Sequence, residues 1–377
     1  MLIKYLYAYK MEYDFLIVGA GLSGSTLAER LASAGNTVCV VEKRNHIGGN
    51  IYDELDENGV LVHKYGPHLF HTNSKEVFSY LSEFTEWRDY EHKVLAYING
   101  KYVPFPINRT TLNLLYGLNL KTEADVSSFL DSVRKPNIEI KNARDAVVAK
   151  VGEDLYSTFF EGYTKKQWGV DPTELSPEVT QRIPIRTNTD DRYFTDIYQA
   201  MPKAGYTEMI KRMLSHKNIN IQLNTDYKDM IESVKYNNLI YTGPIDYFFD
   251  YKFGKLRYRS LVFKRERHNV EFYQNATVIN YPDGNIPYTR CVEIKHATGQ
   301  KISKTTVVYE YPTFDGEPYY PMLTDQDKII FERYRLEAQK LRNTYFVGRL
   351  ADFKYYNMDQ AVAASLKLFK TITQKSI

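Results

Sequence analysis

Apolar positions follow two rhythms along this chain, and the switches between them mark its elements. YDFLIV, residues 13–18, is a compact apolar run that stops at glycine, as a strand buried on both faces does. After it Leu27, Leu31 and Ala34 recur at helical spacing, and Gly35 stands where a helix ends in a left-handed residue. TVCVVE, residues 37–42, is a second apolar run, so residues 13–42 read as one β-α-β unit. From about 105 to 165 the spacing is helical, in LNLLYGL, VSSFLDSV and AVVAKVGEDLYSTFFEGY. From about 245 to 312 short alternating runs broken by turn residues predict an antiparallel sheet: YRSLVF, VEFYQNATVINY, TRCVEI and KTTVVYEY. KRERH, residues 264–268, reads as a solvated strand edge or turn. NTYFVGRL returns to a strand and a glycine, and QAVAASLKLFKTI closes the chain as an amphipathic helix.

No linker-like stretch separates these regions, so the domains are expected to be discontinuous. The fold class is α/β in a mixed α+β setting. A Rossmann-like domain takes residues 11–85, 200–245 and 340–377. A helical domain takes 105–180, and an antiparallel sheet domain takes 86–104, 181–199 and 246–339.

Composition narrows the function less than the pattern does. The 377 residues are 43% apolar and 25% charged, with a formal charge of +3. That is too little positive charge to argue for nucleic-acid binding, but enough for a local anion site. Tyrosine is abundant, at 33 residues, and a ring carrying one hydroxyl suits sugar and phosphate surfaces. Two cysteines, Cys39 and Cys291, cannot build a disulfide framework, which fits a reducing, cytoplasmic setting. No apolar run reaches the roughly 20 residues of a membrane helix. MLIKYLYAYK is a poor signal peptide; two readings of residues 1–10 stay open, an extension or a stretch ahead of a translation start at Met11.

The first candidate chemistry lies in GAGLSG. Gly19, Gly21 and Gly24 form G-x-G-x-x-G with a strand before, a helix after, and Glu42 ending the second strand. Such glycines let a pyrophosphate approach a helix N-terminus closely, and the acidic residue accepts from the adenosine ribose. KRNHIGGN follows at once. A second glycine pair, Gly48 and Gly49, so soon after the ribose-binding strand resembles the glutathione-reductase-like flavoproteins and favours FAD over NAD. The second puzzle is Trp168, one of two tryptophans, placed in the polar stretch EGYTKKQWGVDP. A tryptophan in such company either offers its ring to a ligand or packs between helices.

A set of segments resolves the choice by resemblance. YGPHLFHTN (65–73), EGYTKKQWG (161–169), RIPIR (182–186), DDRYF (190–194), MPKAGYTEMI (201–210), YTGPIDYFFDYKFG (241–254), YRSLVF (258–263), IPYTR (286–290), EPYYP (317–321) and GRLADFKYYNMDQ (348–360) resemble the UDP-galactopyranose mutases, in order and spacing. The resemblance implies an FAD enzyme, active with reduced flavin and without net redox change. It interconverts UDP-galactopyranose and UDP-galactofuranose through a covalent adduct between flavin N5 and the anomeric carbon. It also implies UDP-galactose as the small-molecule partner and a homodimer.

Carried over position by position, the resemblance gives Trp168 to uracil, with Phe159, Phe160, Tyr163, Thr164 and Gln167 lining the nucleotide pocket. Arg182 and Arg290 would hold the leaving diphosphate, with Arg259 a weaker third. Tyr193, Tyr320 and Tyr355 match phosphate-binding tyrosines, with Tyr319 and Tyr356 adjacent to two of them. Asn280 matches a substrate contact, and His68 would hydrogen-bond flavin or substrate. Gly19, Gly21, Gly24, Glu42, Lys43, Gly49, Asn50, Gly348, Arg349 and Met358 would hold the cofactor. His68 and His71 lack Cys or carboxylate companions in sequence, so no metal is expected.

Two departures stand out. Asn357 replaces a frequent aspartate, and His92 stands where some members carry asparagine, which bears on sugar preference because related mutases accept UDP-N-acetylgalactosamine. Two alternatives are an FAD oxidoreductase resembling the amine oxidases, which would not need KQW, the paired arginines or PYTR, and a non-catalytic FAD- or nucleotide-binding protein, which no sequence feature positively supports.

Overall fold

A computed structural model of the chain describes residues 12–181 and 183–374. The expectations placed on Arg182 and on residues 1–11 lie outside the described residues.

The described residues divide into two compact units, one from within 1–52, 206–255 and 331–377, the other from within 53–205 and 256–330. In the first unit five parallel strands line up in the order Ile219–Gln222, Val38–Val41, Glu12–Val18, Lys235–Tyr241, Thr344–Phe346. The strands at 13–18 and 37–42 thus form as the apolar runs predict, and pair with Leu16 beside Cys39 and Val18 beside Val41. Both runs are apolar throughout because both faces are covered. One face holds a cluster of Leu16, Cys39, Val41, Tyr227, Leu239 and Tyr241. The Leu22–Ser33 helix packs against the Met358–Gln374 helix.

The second unit is built on a seven-stranded sheet. Its order is Tyr320–Pro321, Tyr258–His268, Thr305–Thr313, Arg290–Val292, Val278–Asn280, Val94–Ile98, Lys101–Phe105. Pairing is antiparallel except where Val278–Asn280 runs parallel to Val94–Ile98, so the wholly antiparallel sheet expected from the turns is corrected at that one pair. KRERH lies in the Tyr258–His268 strand, pairs with Thr305–Thr313, and is solvated along the sheet's outer side. The apolar run at 270–277 does not become a strand. The buried Glu293 carboxylate accepts from the backbone amides of Tyr273 and Gln274 at 3.0 and 2.9 Å, which removes donors a ladder would need. Residues 245–248 form a helical turn in the first unit instead of joining the sheet.

The helices of 105–165 also belong to this unit. Asn108, Thr122 and Asn142 each accept a hydrogen bond from a first-turn amide and so start three of them. A π-helical turn at Ser157–Glu161 then leads into the Gly162–Trp168 helix. That helix packs on the Thr305–Thr313 strand, so the helical and sheet pieces share one compact body where sequence composition suggested two. Residues 53–85 fall in this body as well, carried there by short strands such as Phe70–Thr72, which pairs with Tyr198–Pro202.

Candidate functional site

In the first unit the two glycine runs meet. Gly19 adopts φ +101°, and a Cβ there would lie 2.2 Å from the Thr242 hydroxyl. A Cβ on Gly24 would lie 1.9 Å from the Gly19 carbonyl oxygen, and one on Gly49 2.8 Å from the Gly21 Cα. Side chains are therefore excluded where the backbone has to curl tightly. The Leu22–Ser33 helix starts at Gly21 with no side-chain cap and no acidic residue in its first turn. Its leading amides remain available to an anion.

The buried Glu42 carboxylate accepts from the Ala20 amide at 2.9 Å and from the Arg44 amide at 2.9 Å, fixing the loop and the strand end together. Asn50 accepts from Arg44 at 2.9 Å. Gly348, at φ +108°, comes close to Ser23, so the late segment closes over the start of this helix. Arg349 donates to the Tyr356 carbonyl at 3.1 Å and lies over the Tyr355 ring at 5.5 Å. Asn357 sits just ahead of the helix that begins at Met358, its amide donating to Gln360. Lys43 flanks Glu42 on the loop side of the strand. The glycine loop, Glu42 and Gly348 thus surround the start of the Leu22–Ser33 helix as a glycine cradle.

In the second unit strand register assembles a different cluster. Asn280 lies directly opposite Arg290, and Arg290 directly opposite Glu310, so three polar side chains stand in one row across three strands. Glu310 is fully buried and accepts from the Arg290 Nε at 2.5 Å. Burial raises the Glu310 carboxyl above its ordinary range, and Arg290 opposes that shift. Burial works most strongly against the Arg290 charge, but Glu310 together with the Tyr163 and Tyr320 phenols outweighs it, and the guanidinium is held well above its ordinary value. Its Nη groups make no hydrogen bond among the described residues.

Tyr163 and Tyr320 lie within the electrostatic reach of Arg290, and Tyr193 within that of Tyr163. Burial raises the Tyr163 phenol, so it stays a protonated donor. The neighbouring Tyr319 is buried against Phe263 and Tyr65, which leaves Tyr320 as the member of that pair beside Arg290.

The remaining assignments divide. Phe159 and Phe160 are buried around Phe105 at 6.1 and 6.0 Å, Thr164 is buried in the helix, and Trp168 is only 6% exposed. Arg259 is buried and donates to the carbonyls of Gln167 at 2.8 Å and Lys166 at 3.1 Å, while stacking on Phe314 at 4.1 Å. It thus braces the helix that carries Tyr163 and Trp168. His68 Nδ1 lies 2.9 Å from the Gly66 carbonyl, which can only accept, so the proton sits on Nδ1 and Nε2 keeps its lone pair in the neutral ring. His71 instead stacks on Phe194 and lies 3.0 Å from Asp196.

Sequence reading missed Glu310 and the structural use of Lys166. The only trace of Glu310 was a carboxylate inside the apolar run VVYEY.

His92 is buried among Tyr193 and Phe194, and burial, with Arg290 next, lowers its pKa to about 3; burial lowers that of His63 to about 3 too. Both rings stay neutral in the fold, whereas in the unfolded chain they take up protons near pH 6.5. Stability is therefore complete above pH 6.5 and falls as pH drops from 6.5 towards 3. Between pH 7 and pH 5 the loss is about 2 kcal/mol for each histidine. Urea unfolding at the two pH values checks this, and equal stabilities would contradict it.

The fold and the glycine cradle define a class: a Rossmann-like dinucleotide-binding protein carrying a second unit with an arginine–tyrosine cluster. A profile of NAD(P)-binding Rossmann-like domains matches residues 17–84, and that of UDP-galactopyranose mutase matches residues 158–355. The chain belongs to the UDP-galactopyranose mutase family.

It is 37% identical over 359 residues to a Klebsiella pneumoniae protein named "Probable UDP-galactopyranose mutase", covering 94% of this chain and 93% of that one. It is 35% identical to the UDP-galactopyranose mutase of Mycoplasma genitalium, covering 94% of each. It is also 36% identical to an Escherichia coli dTDP-fucopyranose mutase, covering 93% and 96%. Among solved structures, a reduced UDP-galactopyranose mutase shares the fold with a TM-score of 0.75 at 17% identity, over 96% of this chain and 94% of that one.

Proposed function

We propose that the chain interconverts UDP-galactopyranose and UDP-galactofuranose, with FAD in the glycine cradle. The observation that carries this reading is the Asn280–Arg290–Glu310 row with tyrosines around it, in a chain of this family. When bound in that cradle, reduced FAD would supply the electron pair for the anomeric carbon as UDP leaves.

The chain's own residues deal with the leaving group. Arg290, held from behind by Glu310, presents its Nη groups to the diphosphate as negative charge builds there. Tyr163, Tyr193 and Tyr320 add phenolic donors without adding charge. The diphosphate has to stay bound, because the recyclised sugar must be returned to it. Glu42 would accept from the cofactor ribose, and the uncapped helix start would receive the cofactor pyrophosphate. Trp168, being nearly covered, supports the base pocket with its edge and packing.

We place the reaction in the cytoplasm, consistent with two free, buried cysteines. As the resemblance implies, we read the enzyme as a homodimer that supplies galactofuranose for cell-surface polysaccharide.

The dTDP-fucopyranose mutase relative marks the alternative in the same class. Calorimetric titration separates the two: UDP should bind at least about tenfold more tightly than dTDP, which adds a 5-methyl group and lacks the ribose 2′-hydroxyl. Equal affinities, or preference for dTDP, would contradict the assignment of a uridine nucleotide.

A further inference from the structure

Neighbouring lysines in KQW do opposite things. Lys165 makes ordinary surface ion pairs with Glu161 at 2.8 Å and Asp171 at 3.2 Å. Lys166 turns inward instead. Its Nζ donates to the backbone carbonyls of Tyr281, Asp283, Ile286 and Tyr288, at 2.6, 2.7, 2.9 and 3.1 Å.

An ammonium has three protons, so these four bonds are shared, and the segment curls around one cation. Such a loop has neither helix nor ladder to take its carbonyls, and Lys166 matches them from outside. The approach is close elsewhere too, because a Cβ on Gly162, at the start of the same helix, would lie 2.2 Å from the Pro282 carbonyl oxygen. The gathered loop connects Asn280 to Arg290, which face each other across its two strands. The helix that sends Lys166 into the loop also carries Tyr163 and Trp168.

We propose that Lys166 is a positioning residue: by gathering the 281–288 loop around its ammonium, it sets Arg290 and Asn280 against Tyr163 and so fixes the geometry of the nucleotide-diphosphate site. This rests on the function proposed above, for which UDP is the probe. Arg259 braces the same helix by donating to its last carbonyls, so that the helix is held independently on two sides.

The test compares Lys166→Met, Lys166→Arg and Gly162→Ala in the cofactor-loaded protein. Two quantities are read: amide hydrogen exchange over residues 281–289 and UDP affinity. Lys166→Met should accelerate exchange in that segment at least about tenfold and weaken UDP at least about tenfold, with flavin stoichiometry unchanged. Lys166→Arg, which keeps the charge and several donors, should recover most of both losses. Gly162→Ala should weaken UDP comparably with the lysine intact, and it decides the matter if Lys166→Met fails to fold.

Unchanged exchange in Lys166→Met would overturn the gathering of the loop. Faster exchange with wild-type UDP affinity would overturn the positioning role, as would wild-type affinity in Gly162→Ala. Wild-type protein that ignores UDP would instead refute the proposed function, while the exchange data still judge the loop.

Discussion

Replacing Arg290 with alanine should lower turnover by at least about 10³-fold while flavin remains bound, the scale expected when a fixed donor to a developing charge is lost. The geometry makes this variant costly in a second way. Glu310 is fully buried and its charge is matched by Arg290. Removing one partner of a buried pair destabilises by about 3–5 kcal/mol, moderated here because the raised Glu310 carboxyl can take up a proton.

Arg290→Lys separates the effects. It keeps a positive charge for Glu310 but loses the planar fork, so stability should stay near wild type while turnover still falls by about 10²-fold. Glu310→Gln should fall between, since the guanidinium would remain but lose its anchor. Steady-state rates at saturating reductant, set beside urea midpoints, read both quantities. A near-normal rate in Arg290→Lys would show that the fork does not act on the diphosphate.

Gly21→Asp should yield protein without bound flavin. Gly21 lies where the two glycine runs pack together, 3.7 Å from the Gly49 Cα when a Cβ is added, and it caps the helix whose amides await a pyrophosphate. A carboxylate there would fill the cradle and repel the cofactor's own charge. The absorbance of purified protein near the flavin bands, scaled to protein concentration, checks this; stoichiometric flavin in the variant would refute the cradle.

How much could be read beforehand follows from which interactions are local. The β-α-β unit was legible because its signals, apolar runs and three glycines, act within about 30 residues of each other. The facing of Asn280 and Arg290 follows from a hairpin between short strands only ten residues apart. Glu310 was invisible because its place under Arg290 depends on the register of a third strand, which alternation alone does not fix.

Lys166 looked like any surface lysine beside Lys165, since four carbonyls of a distant loop leave no side-chain pattern to detect. The 270–277 run looked like a strand, but a buried carboxylate took its amides. That Trp168 lies almost completely covered could not be read from its polar sequence neighbours, because tertiary packing decides it. Tertiary packing also sets the compact units: helices with their own periodicity pack on the sheet within one unit.

The central claim is that a reduced flavin and an arginine-gripped diphosphate let this chain change the ring form of a nucleotide sugar. The most direct measurement is anaerobic incubation of the dithionite-reduced protein with UDP-galactofuranose, followed by chromatography of the nucleotide sugars. The account predicts conversion to UDP-galactopyranose, strongly reduced in the oxidised protein and nearly absent in Arg290→Ala. Unchanged UDP-galactofuranose in the presence of fully reduced, flavin-loaded wild-type protein would contradict it.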